Sequence, residues 1–451
     1  MRRKSTLSTT QVILLSFFVV IFIGSILLYL PISSKNGVPV SYLDALFTSA
    51  TSTCVTGLVT VPTYSTWSIF GQIVILVLIQ CGGLGAVAFM SLFFIMVHKK
   101  LNLKDSQLIQ EAFNLNSMSG LKMFIKKVFI WTFSIEAIGA ILYMIVFVPD
   151  FGINGIWISI FTSISAFCNA GLDIIGDVSL CDYATNPLIN SVTSLLIVFG
   201  GLGFIVWWDI VRVIKEFRSK NIGCLRMLTL HSKIVLSATF SLIIFGALFI
   251  LLFEYNNSLT LEKYSLFDKI QISLFQSITT RTAGFATLPQ ENLTNASVLI
   301  CMLLMFIGGS PVGTAGGIKT ITFVSLLAVA IALIRNKRDV VIFKRNLATE
   351  ITRKAVAVTF MSFIIVFVST VLLSLTMDNS ITDILYETIS ATSTVGLSRN
   401  LTYSLNNIGK IIIIITMYLG RVGPISLAIA FKSKKSEMDL VKYPTENISI
   451  G

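Results

Sequence analysis

Four short runs decide the reading of this chain: Thr53-Cys54-Val55-Thr56-Gly57-Leu58, Phe167-Cys168-Asn169-Ala170-Gly171-Leu172, Thr280-Arg281-Thr282-Ala283-Gly284-Phe285 and Thr392-Ser393-Thr394-Val395-Gly396-Leu397. Their glycines stand 114, 113 and 112 residues apart. Each run closes a polar stretch and is followed by a large apolar residue. A second glycine mark comes 24 to 29 residues later, at Gly82-Gly83, Gly200-Gly201, Gly308-Gly309 and Gly420-Arg421. Two marks kept in step through four units are the signature of an internal repeat.

Outward from these marks the chain is strongly apolar. Runs long enough to span a bilayer lie near 11–31, 68–98, 124–148, 188–214, 232–253, 296–334, 355–377 and 405–431; a spanning helix needs about 20 such residues. Four Ser/Thr-rich helical stretches, 40–53, 155–167, 265–280 and 381–392, are too short and polar to cross. The expected fold is therefore an all-α integral membrane protein. Eight spanning helices and four re-entrant half-helices form four pseudo-symmetric span–pore-helix–span repeats around a central pore. The repeats occupy 11–98, 124–215, 232–335 and 355–431, with an N-terminus at 1–10, linkers at 99–123, 216–231 and 336–354, and a C-terminus at 432–451.

Composition agrees. Of 451 residues 54% are hydrophobic and only 12% charged, where a soluble domain carries about 25%, and mean hydropathy is +0.85. This excludes a cytosolic enzyme, a secreted disulfide scaffold and a free nucleic-acid binder. Six cysteines, at 54, 81, 168, 181, 224 and 301, show no metal or disulfide spacing and read as small buried residues.

The formal charge of +12 is a topology signal, since 26 of the 34 basic residues fall in the two termini and in or immediately beside the three linkers. Lys and Arg favour the cytoplasmic side, so both termini are expected there, with attraction to anionic membrane lipid and no need of nucleic acid. The apolar run after Met1-Arg2-Arg3-Lys4 is long and lacks an Ala-x-Ala site, so it reads as a span and not a signal peptide.

Non-helical backbone at membrane depth survives only when buried in protein or lining a watery cavity. Four glycine loops in fourfold pseudosymmetry can present carbonyl oxygens to one axis, which is how a cation filter replaces a hydration shell. Half-helices pointing their C-terminal, partly negative ends at the centre favour a cation there. An enzyme needs a nucleophile, base or metal set at depth; the two histidines, His98 and His231, fall at cytoplasmic helix ends, and no HExxH, GxSxG or Walker pattern occurs. A broken-helix carrier usually shows inverted repeats, whereas these four run in one orientation.

Over roughly 11–431 the chain resembles the membrane subunits of the Trk/Ktr/HKT superfamily of potassium transporters, most closely the bacterial Ktr type (KtrB or KtrD). The resemblance makes the four quoted runs a potassium selectivity filter, with glycine at Gly57, Gly171, Gly284 and Gly396. Serine at the first position goes with sodium preference in the superfamily, so Gly57 points to potassium. Gly308-Gly309-Ser310-Pro311-Val312-Gly313-Thr314-Ala315-Gly316-Gly317-Ile318-Lys319-Thr320 resembles the family's intramembrane gating loop.

Arg421 stands where the other repeats have Gly83, Gly201 and Gly309. An intramembrane arginine faces a cavity or a partner. It reads as a positive charge below the filter, as an ion-pair partner of Glu136 or Glu387, or as both. Glu387 is expected to anchor the filter, Arg281 to point behind it, and Asp44 and Asp383 to cap half-helices. Asp173, Asp177 and Asp182 read as an outer loop that can also gather cations.

The resemblance further implies a homodimer in a bacterial plasma membrane and a cytosolic ring of RCK-type subunits, KtrA- or KtrC-like, that binds ATP or ADP. No cofactor is expected on this chain. Sodium is a candidate activator, and a sodium-permeable or sodium-coupled carrier is the alternative function.

Overall fold

A computed structural model describes residues 9–85, 121–176, 178–220, 227–337 and 339–423. The expectations on 1–8, 86–120, Asp177, 221–226, Arg338 and 424–451, among them His98 and Cys224, lie outside these residues.

The described residues are mostly helical and fall into four successive units. The first holds α1 (Thr9–Tyr29), the polar half-helix α2 (Tyr42–Cys54) and α3 (Ile69–Gly83). The second holds α4 (Leu121–Phe151), the half-helix α5 (Asn154–Cys168), α6 (Pro187–Gly201) and α7 (Phe204–Lys220). The third holds α8 (Leu230–Glu254), the half-helix α9 (Leu266–Thr279), α10 (Asn295–Phe306) and α11 (Thr320–Ile334). The fourth holds α12 (Thr349–Ser374), the half-helix α13 (Ile381–Ser393) and α14 (Asn407–Val422).

Four of these helices are long and apolar enough to cross a membrane: 11–29, 123–151, 230–254 and 349–374, one opening each unit. A fifth counts if the bent pair α6–α7 is one span. The outer helices expose Phe18, Ile138, Phe240 and Phe360, each more than half accessible. Such a surface suits lipid and not water.

One expected span differs from the sequence reading. The stretch taken as one span at 188–214 bends by 99° between α6 and α7. Gly203 takes a φ of +86° there, and the Phe204 N–H donates to the Val312 carbonyl at 3.1 Å. A segment of the third unit thus occupies the place where the helix would continue. The 296–334 stretch is two helices with residues 307–319 between them. The 336–354 linker contains a small antiparallel hairpin, β1 (Val341–Ile342) with β2 (Arg345–Asn346), and the start of α12. Phe343 and Lys344 both have positive φ at its turn, the backbone of the tight hairpin turn that matches strand twist.

Packing contacts form a closed cycle. In the first, second and fourth units the half-helix packs against the helices on either side of it; in the third it packs on α8 and reaches α10 through Gln276 and Cys301. Between units, α3 lies on α5, α6 on α9, α10 on α13, and α14 returns to α2. The apolar cores sit at the seams. One joins Ile75 to Phe147 and Phe161, a second joins Ile250 and Met302 to Tyr386, and a third joins Ile21 and Phe47 to Ile413. A single unit therefore cannot bury its apolar faces by itself.

Candidate ion pathway

Local sequence builds each half-helix and aims its end inward. Ser41, Ser265 and Ser380 are the N-caps, accepting from the backbone N–H groups of Asp44, Asp268 and Asp383 and donating back to the same carboxylates at 2.6–2.7 Å. This arrangement is a variant of the capping box, in which the third residue's carboxylate takes the serine hydroxyl and not its backbone N–H. It corrects the assignment of Asp44 and Asp383 as caps: the serines cap, and the aspartates are their third-residue partners. The fourth half-helix, α5, lacks such a cap.

At the other end the backbone turns left-handed two residues before each glycine, at Val55, Asn169, Thr282 and Thr394, with φ of 52° to 69°. The glycines Gly57, Gly171, Gly284 and Gly396 follow with φ of 65° to 97°. In each run the N–H groups turn back toward the half-helix. Thr56, Ala170 and Val395 donate at 2.8 Å to Thr51, Ser165 and Ser390 carbonyls, and Ala283 donates at 2.9 Å to Thr279. Gly57 and Gly396 donate to the Thr51 and Ser390 hydroxyls at 3.0 Å.

The four glycines meet one another. A β-carbon on Gly57 would lie 2.5 Å from the Ala170 carbonyl oxygen, one on Gly171 2.6 Å from Ala283, and one on Gly284 2.5 Å from Val395. One on Gly396 would strike the Thr56 carbonyl and close the ring. Only a residue without a side chain fits this approach and this φ. The carbonyl oxygens of Thr56, Ala170, Ala283 and Val395 accept no hydrogen bond among the described residues, although all four residues are buried. Buried carbonyl oxygens ordinarily have a partner, and these four stand together on one ring.

Outside the ring lies a cavity of about 270 Å³ touched by all four glycines and by two acids, Asp173 and Glu291. Burial pushes the Asp173 carboxyl up to about 6, against hydrogen bonds from Ser179 and the Ile175 backbone. The sequence reading missed Glu291, whose only signal was its position seven residues after Gly284. Asp182 is exposed and does not line the cavity.

Beneath the ring lies the 308–320 segment. Gly316 donates to the Thr282 hydroxyl at 3.2 Å, and the Thr314 hydroxyl donates to the Phe167 carbonyl at 3.2 Å. Ser310 and Thr314 donate through their backbones to the Gly201 and Gly200 carbonyls at 2.9 and 3.1 Å. The segment therefore touches the second and third glycine runs at once. Lys319 donates to the Ala315 carbonyl at 2.6 Å.

Arg421 reaches the same segment from α14. It donates to the Thr314 carbonyl at 2.6 Å and to the Gly82 carbonyl at the end of α3. Both partners are carbonyls. The ion pair considered with Glu136 or Glu387 does not form: Glu136 accepts two bonds from Gln80 at 2.6 and 2.7 Å, and Glu387 accepts from Ser398 at 2.7 Å and from Thr402. Glu387 thus holds the chain just beyond the fourth glycine run. Arg281 points behind the third run and donates to the Gly308 carbonyl at 3.2 Å.

The second glycine marks are close-packing points. A β-carbon on Gly82, Gly200 or Gly420 would collide with the carbonyl of Thr53, Phe167 or Thr392 at the end of a half-helix. Cys54, Cys168 and Cys301 are buried free thiols.

A family model described as TrkH, cation transport protein, matches residues 3–442. The chain belongs to the TrkH cation transport family. It is 40% identical over 98% of its length to the Ktr system potassium uptake protein B of Bacillus subtilis, covering 96% of that protein. It is 38% identical over its whole length to the potassium/sodium uptake protein NtpJ of Enterococcus hirae, covering 99% of it. In fold, this TrkH family member is similar to the crystal structure of the potassium transporter TrkH from Vibrio parahaemolyticus, with a TM-score of 0.75 and 17% identity, over 96% of this chain and 87% of that one. The Trk/Ktr membership read from the glycine runs and the 308–320 segment is the membership found. The relatives are named as transporters, and the chain is a multi-pass membrane transport protein and not an enzyme.

Proposed function

We propose that this protein takes up potassium through a channel-like pore whose selectivity filter is the ring of the four glycine runs. The observation that carries the reading is the set of four unpartnered carbonyl oxygens at Thr56, Ala170, Ala283 and Val395, closed into a cycle by glycine contacts. The named activity of the Ktr relative supports potassium as the substrate. Eight spans and four half-helices surround the pore, counting α3, α10–α11 and α14 as crossing segments. Basic linkers put both termini in the cytoplasm of a bacterial cell. Inward flow is driven by the membrane potential, about 2.3 kcal/mol per charge for each 100 mV.

The 308–320 segment and Arg421 form the gate beneath the filter. Ktr naming of the relative supports a partner in the working system, which we assign to a cytosolic RCK-type ring carrying ATP or ADP. The membrane part is a homodimer with one pore in each protomer. A second reading is a pore that also passes or couples sodium, favoured by the potassium/sodium uptake name of the Enterococcus relative.

The test is rubidium uptake and potassium-limited growth in a bacterium stripped of its own uptake systems, with a Ktr regulatory partner supplied. The parent chain should rescue growth, and Gly57→Ser should raise sodium permeation, because a β-carbon 2.5 Å from the Ala170 carbonyl forces the carbonyl ring to shift. A serine variant that behaves as the parent removes Gly57 from the filter. Saturable sodium flux through the parent chain itself would select the second reading.

A further inference from the structure

Away from the pore, α4 and α7 face each other across a cavity of about 280 Å³. Its lining comes from one stripe of each helix at helical spacing. Lys127, Trp131, Thr132 and Ile135 line it from α4, and Trp208 and Lys215 are among its α7 residues. The helices touch through Trp208, which stacks on Phe124 with ring centroids 5.3 Å apart and lies 5.0 Å beneath the Lys127 ammonium. At its inner end the cavity reaches Phe167 of the second filter run.

Two features set this cavity apart from an ordinary interfacial belt of aromatics and lysines. The Thr132 hydroxyl is fully buried, lines the cavity and has no hydrogen-bond partner among the described residues. A buried unsatisfied hydroxyl costs about 1–3 kcal/mol. Two cations, Lys127 and Lys215, also line an otherwise apolar space, and among the described residues no acid does. The occupant that fits carries an anionic head, a polar ester a short distance inward and then hydrocarbon. Five residues of helix separate Lys127 from Thr132, a rise of about 7.5 Å.

We propose that the cavity binds one anionic phospholipid of the surrounding bilayer. Lys127 and Lys215 hold its phosphate, the Thr132 hydroxyl donates to a glycerol ester carbonyl, and an acyl chain lies along Ile135 against Phe167. Basic pockets between membrane helices on the cytoplasmic side recognise lipid headgroups by this chemistry. The bound chain would buttress the filter run whose Phe167 carbonyl holds Thr314. The site does not depend on which cation the pore passes.

The protein supplies its own reporter, because three of its five tryptophans, Trp131, Trp207 and Trp208, line the cavity. Purified full-length protein is titrated with brominated phosphatidylglycerol or brominated phosphatidylcholine, and tryptophan quenching is followed. The phosphatidylglycerol midpoint should fall at a several-fold lower mole fraction. Lys127→Gln with Lys215→Gln should bring the two midpoints together, and Thr132→Val should weaken quenching by both lipids. Lys215 is exposed, so Lys215→Gln alone keeps the fold and should lose at least half of the preference. Equal midpoints in the parent protein, or a preference that survives Lys215→Gln intact, would overturn the proposal.

Discussion

Arg421, in the last turn of α14, donates a hydrogen bond of 2.6 Å to the carbonyl of Thr314, 107 positions earlier in the intramembrane segment. Its other terminal nitrogen reaches the Gly82 carbonyl of the first unit. One guanidinium thus ties three of the four units together directly under the glycine ring. The planar fork of arginine makes this double reach; a lysine offers a single point of charge.

Arg421→Met should raise the initial rate of rubidium uptake several-fold at equal membrane abundance. The change removes a positive charge from beneath the ring and two charge-assisted bonds worth about 1.5–3 kcal/mol each. Arg421→Lys should fall between the two, since it keeps the charge and loses the bridge. An unchanged rate in the methionine variant would show that Arg421 is no barrier.

Gly171→Ala should abolish uptake, by tenfold or more, with the protein still inserted. Its β-carbon would lie 2.6 Å from the Ala283 carbonyl and 2.7 Å from the Gly284 α-carbon. Gly176→Ala is the matched control, with nothing within 4 Å of its β-carbon and no positive φ. Equal loss in both would locate the effect in folding and not in the ring.

Asp173 makes the outer mouth sensitive to acid. Its carboxyl, raised to about 6 by burial, is charged above that pH and neutral below it. The half-saturating rubidium concentration should therefore rise as external pH falls from 7 to 5. Asp173→Asn should begin with the higher value and show a flatter profile. A parent-like pH profile in that variant would assign the titration elsewhere.

Lys410 on α14 and Asp44 on α2 form a largely buried ion pair at 2.6 Å across the seam where the fourth unit meets the first. Burial by itself would raise the Asp44 carboxyl, but hydrogen bonds from Lys410, Ser41 and Thr60 outweigh it and hold it below the ordinary value. A depressed carboxyl stabilises the fold above the unfolded pKa, about 3.9, and that stability is lost as pH falls through the folded value. Lys410→Met should lower Tm at pH 7, at a cost of about 1.5–3 kcal/mol. The difference from the parent should shrink below about pH 4. A difference independent of pH would point to packing and not charge.

Much of the architecture was legible because membrane depth narrows the options. Backbone in lipid must satisfy itself, so apolar length marked the outer helices. The four Ser/Thr-rich stretches marked the half-helices to within two residues. The bend at Gly203 was not legible. Its cause is the Val312 carbonyl of another unit, and a 15-residue apolar run reads the same whether a helix passes straight or turns.

By itself the sequence determined the repeat, the four glycine runs, the broken segment at 308–320 and the membership of the chain, because these are matters of local backbone requirement and spacing. Only the tertiary structure decided partnership. It sent Arg421 to the Thr314 and Gly82 carbonyls and away from Glu136 and Glu387, and it seated Glu291 beside Asp173 at the mouth. Such pairings join residues a hundred or more positions apart. They depend on how four units close into a ring, and no single stretch of chain encodes that closure.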